Sequence, residues 1–327
     1  MKAIEISSVG GPDVLRQVER PIPNISNSQV LVEVHAAGVN RPDVLQRKGF
    51  YKVPKDASDI PGLEISGVIH ALGADVKNLA IGDEVVALCH GGGYAQFCAV
   101  ESSHCLPKPK NLSHIISSCL PETCFTVYYN VVEKGGLKPD MTLLVHGGSS
   151  GIGTTAIQIA KSMGVEVIVT AGSDEKCSFC VELGAKYALN YKKESFIEFL
   201  LSKYPNGVDM VLDMVGGPYF EPNIKCLRED GAYISIAFIL GSKVTLNLAD
   251  LLAKRITIYG SMLRPQSVQQ KAEIAAKVKE HIWPTISSGL LKPHVDRVFK
   301  LEEANRAHRL MESSEHKGKI CLQVKSD

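Results

Sequence analysis

The residues best suited to chemistry form one short turn, Gly147-Gly148-Ser149-Ser150-Gly151-Ile152-Gly153. It follows an apolar run, Thr142 to Val145, and opens the helix-like stretch "GIGTTAIQIAKSMG". Glycines at this density let a backbone turn tightly and approach a pyrophosphate. The helix that follows aims free N–H groups and its positive dipole end at the phosphates. Gly148, Ser150, Gly151, Ile152 and Gly153 are therefore the expected phosphate contacts. The spacing is not a strict G-x-G-x-x-G, so the turn alone is a weak signal and its surroundings must carry the reading.

The next strand decides which dinucleotide fits. Units that bind NAD place Asp or Glu at the tip of that strand, against the ribose 2′-OH. Here Val165–Thr170 runs into Ala171-Gly172-Ser173, with no acid at the tip. Asp174 and Glu175 come later, in the first turn of a helix, where acids suit the helix dipole. Gly172 and Ser173 leave room for a 2′-phosphate, Lys176 can neutralise it and Tyr191 can hydrogen-bond it. NADPH is expected over NADH.

Other reactive groups give less. Nine cysteines, an odd number and scattered, read as reduced thiols of a cytoplasmic protein. Cys177-x-x-Cys180 lies within a helical stretch, where a three-residue spacing puts both thiols on one packed face rather than at an exposed helix start. A Tyr-x-x-x-Lys pair, which works on one helix face in short-chain dehydrogenases, occurs once, at Tyr51 and Lys55. It lies upstream of the glycine turn and contains Pro54, which opposes a helical turn.

These groups need a scaffold. The 327 residues allow two domains, and 45% hydrophobic with 22% charged residues is ordinary for a globular chain. A net charge of +1 without a basic block argues against nucleic acid as a partner. No run of about 18 apolar residues suggests a membrane span, and the first residues lack the apolar core of a signal peptide. Up to about residue 120 the chain reads as short strands and turns. From "TLLVHG" to "RITIYGS" strands alternate with helices, which predicts a doubly wound parallel sheet of six strands. After Arg264 one long helical segment and a return to strands are expected. The predicted architecture is an α/β Rossmann domain, residues 123–263, inserted in a β-rich domain built from 1–122 and 264–327.

This order, together with "AAGVNRPDVLQRKGFY", "IPGLEISGVI", "GDEVVAL", "GGGYAQ", "LVHGGSSGIGTTAIQIAK" and "LGAKYALNYKKESF", resembles the medium-chain dehydrogenase/reductases end to end. Within them the chain is similar to the quinone oxidoreductase (zeta-crystallin-like) branch. "RKGFY" and "GSMLRPQS" are most like its stress-inducible subfamily. The β-rich part would then be GroES-like. Where the zinc-dependent members carry Cys and the His of Gly-His-Glu, this chain has Asn40 and Leu63, which are not zinc donors. Glu64 alone makes no site, and the four-cysteine structural lobe is missing, so no metal is expected. Without a Lewis acid, reduction of an already electrophilic quinone is favoured over alcohol oxidation.

The resemblance further implies Asn40 beside the nicotinamide and the acceptor oxygen, Asp43 orienting Asn40 or capping its helix, Tyr51 lining the substrate cleft, and Thr126 near the nicotinamide. Phe238, Ile239, Leu263 and Arg264 follow the fifth and sixth strands, at the carboxyl ends where such sheets bind ligands. Arg264 would guide the quinone or the cofactor carboxamide. A homodimer paired through the sixth strand, Arg255–Gly260, is also implied. Reduction of enones or enals, or NADPH binding without catalysis as in crystallin-like or RNA-binding members, are the alternatives.

Overall fold

The computed structural model describes residues 1–325. The chain divides into two compact units, Met1–Phe125 with Arg264–Asp327, and Thr126–Leu263. The sequence places the first boundary at 122. The helix Pro121–Val127 runs across it and carries the division to Phe125.

The first unit is β-rich. Strands β1 (Lys2–Ile6) and β2 (Leu15–Glu19) pair antiparallel. β3 (Gln29–Val39), β4 (Glu64–Leu72), β5 (Glu84–Leu88), β6 (Phe97–Glu101) and β7 (Cys105–Pro107) enter the larger sheet. Val30, Val32 and Val34 alternate into the core, as a half-buried strand requires. "GGGYAQFCAVESSHCL" is expected to be one hairpin arm, but its strands separate. β6 pairs with β3 and β7 with β5, because each finds a longer antiparallel neighbour elsewhere in the sheet.

The second unit carries β8 (Thr142–His146), β9 (Glu166–Ala171), β10 (Tyr187–Asn190), β11 (Val208–Asp213), β12 (Leu227–Ser235) and β13 (Thr257–Gly260). All pairings are parallel, in the order β10-β9-β8-β11-β12-β13, with the switch of direction between β8 and β11. Every residue of β11 is buried, as a strand covered on both faces demands. The sixth strand is shorter than expected. Arg255 is a left-handed cap (φ 52°) of the helix Leu248–Lys254, held by Glu229 and Asp230.

The chain then returns to the first unit. The single helical segment expected there is three helices, Val268–His281, Trp283–Ser287 and Ala304–Ser313, with β14 (Val295–Lys300) and β15 (Lys319–Gln323) completing the order β14-β15-β3-β4-β5-β7. Register places three residues at one end of this sheet. Ile320 faces Val39 and Ala37 faces Ile65, so Lys319, Asn40 and Glu64 arrive together.

Candidate active site

In the parallel-sheet unit the glycine turn leaves β8 and folds back over its own helix. Gly148 N–H donates to Thr170 O (2.9 Å), tying the turn to β9. A Cβ on Gly153 would lie 2.4 Å from the carbonyl oxygens of Gly147 and Gly148, and one on Gly148 would lie 2.5 Å from Val169 Cβ. Only glycine lets the turn sit this close. Ser150 caps the helix Gly151–Ser162, its hydroxyl accepting from Gly153 N–H (3.0 Å). Gly151 and Ile152 head the helix, where N–H groups lack intrahelical acceptors and suit phosphate oxygens.

Beyond β9, Gly172 and Tyr191 are in contact: a Cβ on Gly172 would meet the Tyr191 hydroxyl at 2.8 Å. Ser173 caps the next helix through Lys176 N–H (3.3 Å), which brings Lys176 beside that tip. Asp174 is engaged by Lys193 and Asn190 (Nδ2, 2.7 Å). The first acid after the tip therefore already has partners.

Two loops meet at the carboxyl end of β11 and β12. Ile239 and Leu240 N–H donate to Met214 and Val215 carbonyls (3.2 and 2.8 Å), leaving Phe238 and Ile239 exposed. Asp213 organises this junction, accepting from Val215 N–H (2.6 Å), Gly216 N–H and the Tyr233 hydroxyl (2.6 Å). Sequence reading passed over Asp213; an acid directly after the apolar run Met210–Leu212 was the available signal. Thr126 opens this unit. Its carbonyl accepts from Asn130 Nδ2 (2.9 Å) where the helix widens into π-helical turns, Tyr128–Lys134. Leu263 is buried at the unit's other end.

In the β-rich unit Asn40 caps the helix Arg41–Arg47 and stands at the centre of a buried polar network. Its Nδ2 donates to Glu64 Oε1 (2.9 Å), and its Oδ1 accepts from Lys319 Nζ (2.5 Å). Lys319 also pairs with Glu64 (2.7 Å). Burial, the largest single effect, would lower the Lys319 ammonium; the Glu64 charge and hydrogen bond, together with Cys119 and Glu122, outweigh it and hold that group above the usual lysine value. Asp43 accepts from Asn40 N–H (2.8 Å), Gly62 N–H (3.1 Å) and the Tyr94 hydroxyl (3.1 Å). Burial pushes Asp43 up to about 6 against these donors. Behind it, Arg47 faces His308 Nδ1 (3.3 Å) and His308 Nε2 faces the Tyr94 hydroxyl (3.2 Å). A guanidinium only donates, so Nδ1 accepts and the proton sits on Nε2. Burial, then Arg47, holds His308 down to about 3.

Arg264 and Tyr51 come together in the same unit, with the guanidinium 5.6 Å from the ring centre. Arg264 donates to Gln46 Oε1 (2.7 Å) and His90 O (3.2 Å), while its Nε–H is buried without an acceptor. Both acceptors are neutral, so this buried cation has no carboxylate on it. Glu122, absent from the sequence reading, completes the group. Its N–H donates to Glu64 Oε2 (2.9 Å). Burial, then the Glu64 charge, pushes its carboxyl up to about 8. An acid at a helix start just before the apolar "CFTV" was the only signal for it.

A cradle of this geometry on a sheet of this strand order, inserted in a β-rich unit, defines a dinucleotide-dependent oxidoreductase scaffold. The alcohol dehydrogenase GroES-like domain family matches residues 26–110, and the zinc-binding dehydrogenase family matches residues 151–277. Quinone oxidoreductase from Lama guanicoe is 30% identical over 332 residues, covering 99% of this chain and 98% of its own. The structure of Escherichia coli quinone oxidoreductase complexed with NADPH is 28% identical with a TM-score of 0.89, covering 99% of this chain and all of that one. An NAD-dependent alcohol dehydrogenase structure is 32% identical with a TM-score of 0.88 at the same coverage. The chain belongs to the medium-chain dehydrogenase/reductase superfamily, and quinone oxidoreductases are its relatives within it.

Zinc, named in one family description, does not fit the residues present. Among the described residues no three of His, Cys, Asp and Glu converge on a point. Leu63 offers no lone pair, and the Asn40 amide is engaged by Glu64 and the Lys319 ammonium. No helix of the described residues is long and apolar enough to cross a membrane.

Proposed function

We propose that the protein is an NADPH-dependent quinone reductase that works without a metal. The tip of β9 carries this reading: no acid ends the strand, and Gly172, Ser173, Lys176 and Tyr191 gather at its tip, next in sequence order after the glycine cradle. Gly148, Ser150, Gly151, Ile152 and Gly153 hold the pyrophosphate, and Lys176 with Tyr191 meets the 2′-phosphate. Thr126, Phe238, Ile239 and Leu263 form the nicotinamide end. Bound there, the reduced nicotinamide supplies a hydride. Asn40, Tyr51 and Arg264 position the acceptor, and Arg264 faces the negative charge that develops on its oxygen.

Fluorescence titration with NADPH and NADH tests the cofactor. Lys176→Ala is expected to weaken NADPH by about tenfold or more, the order of one charge-assisted contact, and to leave NADH almost unchanged. Equal loss for both removes Lys176 from the 2′-phosphate. Steady-state turnover of ortho- and para-quinones against enones and enals tests the substrate class; turnover of enones alone makes the protein a double-bond reductase instead.

A further inference from the structure

We infer that Glu122 donates the proton that accompanies hydride transfer, protonating the acceptor's carbonyl oxygen while the neighbouring Arg264 cation steadies the charge forming there. The inference rests on the oxidoreductase reading above. Two acids meet in the β-rich unit and are used differently. Glu64 is committed to Asn40, Lys319 and the Glu122 N–H. The Glu122 side chain is largely but not fully buried, and its carboxyl makes no hydrogen bond or ion pair with any described residue. Its backbone is pinned by Glu64, so the carboxyl is placed but unspent. Arg264 is its counterpart, a buried cation whose hydrogen bonds go only to neutral acceptors. An oxygen that gains negative charge and then a proton satisfies both groups.

The step balances. The acceptor takes a hydride, with its two electrons, from the reduced dinucleotide. The O–H bond forms on the acceptor's carbonyl oxygen as the Glu122 O–H breaks, giving the hydroquinone. The Glu122 carboxylate then regains a proton from water. Charged and titratable groups act on Glu122 from every neighbouring element: Glu64 on β4, Asp43 on its helix, Lys319 on β15, Tyr51 and Arg264 on loops, and Lys271 on Val268–His281. Glu64 and Asp43 favour the protonated acid; Lys319, Arg264 and Lys271 oppose it. With the acid form dominant below about 8, proton delivery is available at neutral pH and fades as pH rises through that value.

The wild type is compared with two variants, Glu122→Gln and Glu122→Asp. The first readout is kcat/KM for a para-quinone with saturating NADPH between pH 6 and 10. Wild type is expected to lose rate above about 8. Glu122→Gln is expected to be about 100-fold slower at pH 7, the low end for a general acid, and to lose the descending limb. Glu122→Asp should recover a descending limb. Infrared titration of the cofactor-free protein is the second readout: a protonated-carboxyl band should disappear with a midpoint near 8 in wild type and be missing in Glu122→Gln. Equal thermal midpoints show that the variants fold. Wild-type rate and pH profile in Glu122→Gln overturn the inference and leave the oxidoreductase reading standing. NADPH binding with no turnover of any quinone or enone by the wild type overturns that reading, and this inference with it.

Discussion

Lys319 and Glu64 are a buried ion pair, with side-chain exposures of 5% and 0%. Desolvation nearly offsets the attraction in such a pair, but removing one partner strands the other charge. Lys319→Met is therefore expected to lower unfolding free energy by about 3–5 kcal/mol, and Lys319→Met with Glu64→Gln to recover much of it. An unchanged urea midpoint in the single variant removes the pair from the stability of this unit. His308 sets an acid limit. Its folded value lies below the ordinary 6.5, so between 6.5 and about 3 the unfolded chain binds more protons. The stability it contributes is present above 6.5 and is lost as pH falls through this window, at up to about 1.4 kcal/mol per pH unit. Urea melts of wild type and His308→Gln from pH 7 to 4 check this; equal slopes assign the acid sensitivity elsewhere.

At the scale of elements, the strand β8, the glycine turn and the helix Gly151–Ser162 act as one device. Three apolar residues and a glycine run were readable in order because each works locally, burial for the strand and close approach for the turn; that Ser150 also caps the helix is seen only in the folded chain. Gly153→Ala tests the closeness. Its methyl would press on two carbonyl oxygens 2.4 Å away, so the turn must open. NADPH affinity is expected to fall by about tenfold or more, a loss of roughly 1.4 kcal/mol, with the circular dichroism spectrum kept. Unchanged affinity would place the pyrophosphate elsewhere. The β6 and β7 strands were less readable. Nothing local tells a strand whether its sequence neighbour or a distant strand is its partner, and here β3 and β5 win.

At the scale of the molecule, the parallel sheet ends in an open strand, β13. Ile258 and Met262 are exposed there, and Leu248 and Leu252 on the nearby helix Leu248–Lys254 are also exposed (41%, 59%, 62% and 74%). Apolar side chains on an unpaired edge invite a second copy. Wild type is expected to sediment as a dimer, and Ile258→Lys as a monomer that keeps NADPH binding. A monomeric wild type at micromolar concentration removes this prediction.

The sequence by itself determined the alternation of the central strands and helices, the glycine cradle, the bare tip at Gly172-Ser173 and the lack of zinc donors at Asn40 and Leu63. Each depends on residue type and short spacing, which a linear string preserves. Only the tertiary structure decided how the second group of residues works. Asn40, Glu64, Glu122 and Lys319 are up to 279 positions apart in the chain, as between Asn40 and Lys319, yet strand register brings them within hydrogen-bonding range. A solitary glutamate in "GLE" became one arm of a buried ion pair, and Glu122 acquired its chemistry from neighbours that no local pattern encodes. Burial and charge proximity are properties of the folded surroundings, and they separate the glutamate that holds the site together from the one left free to react.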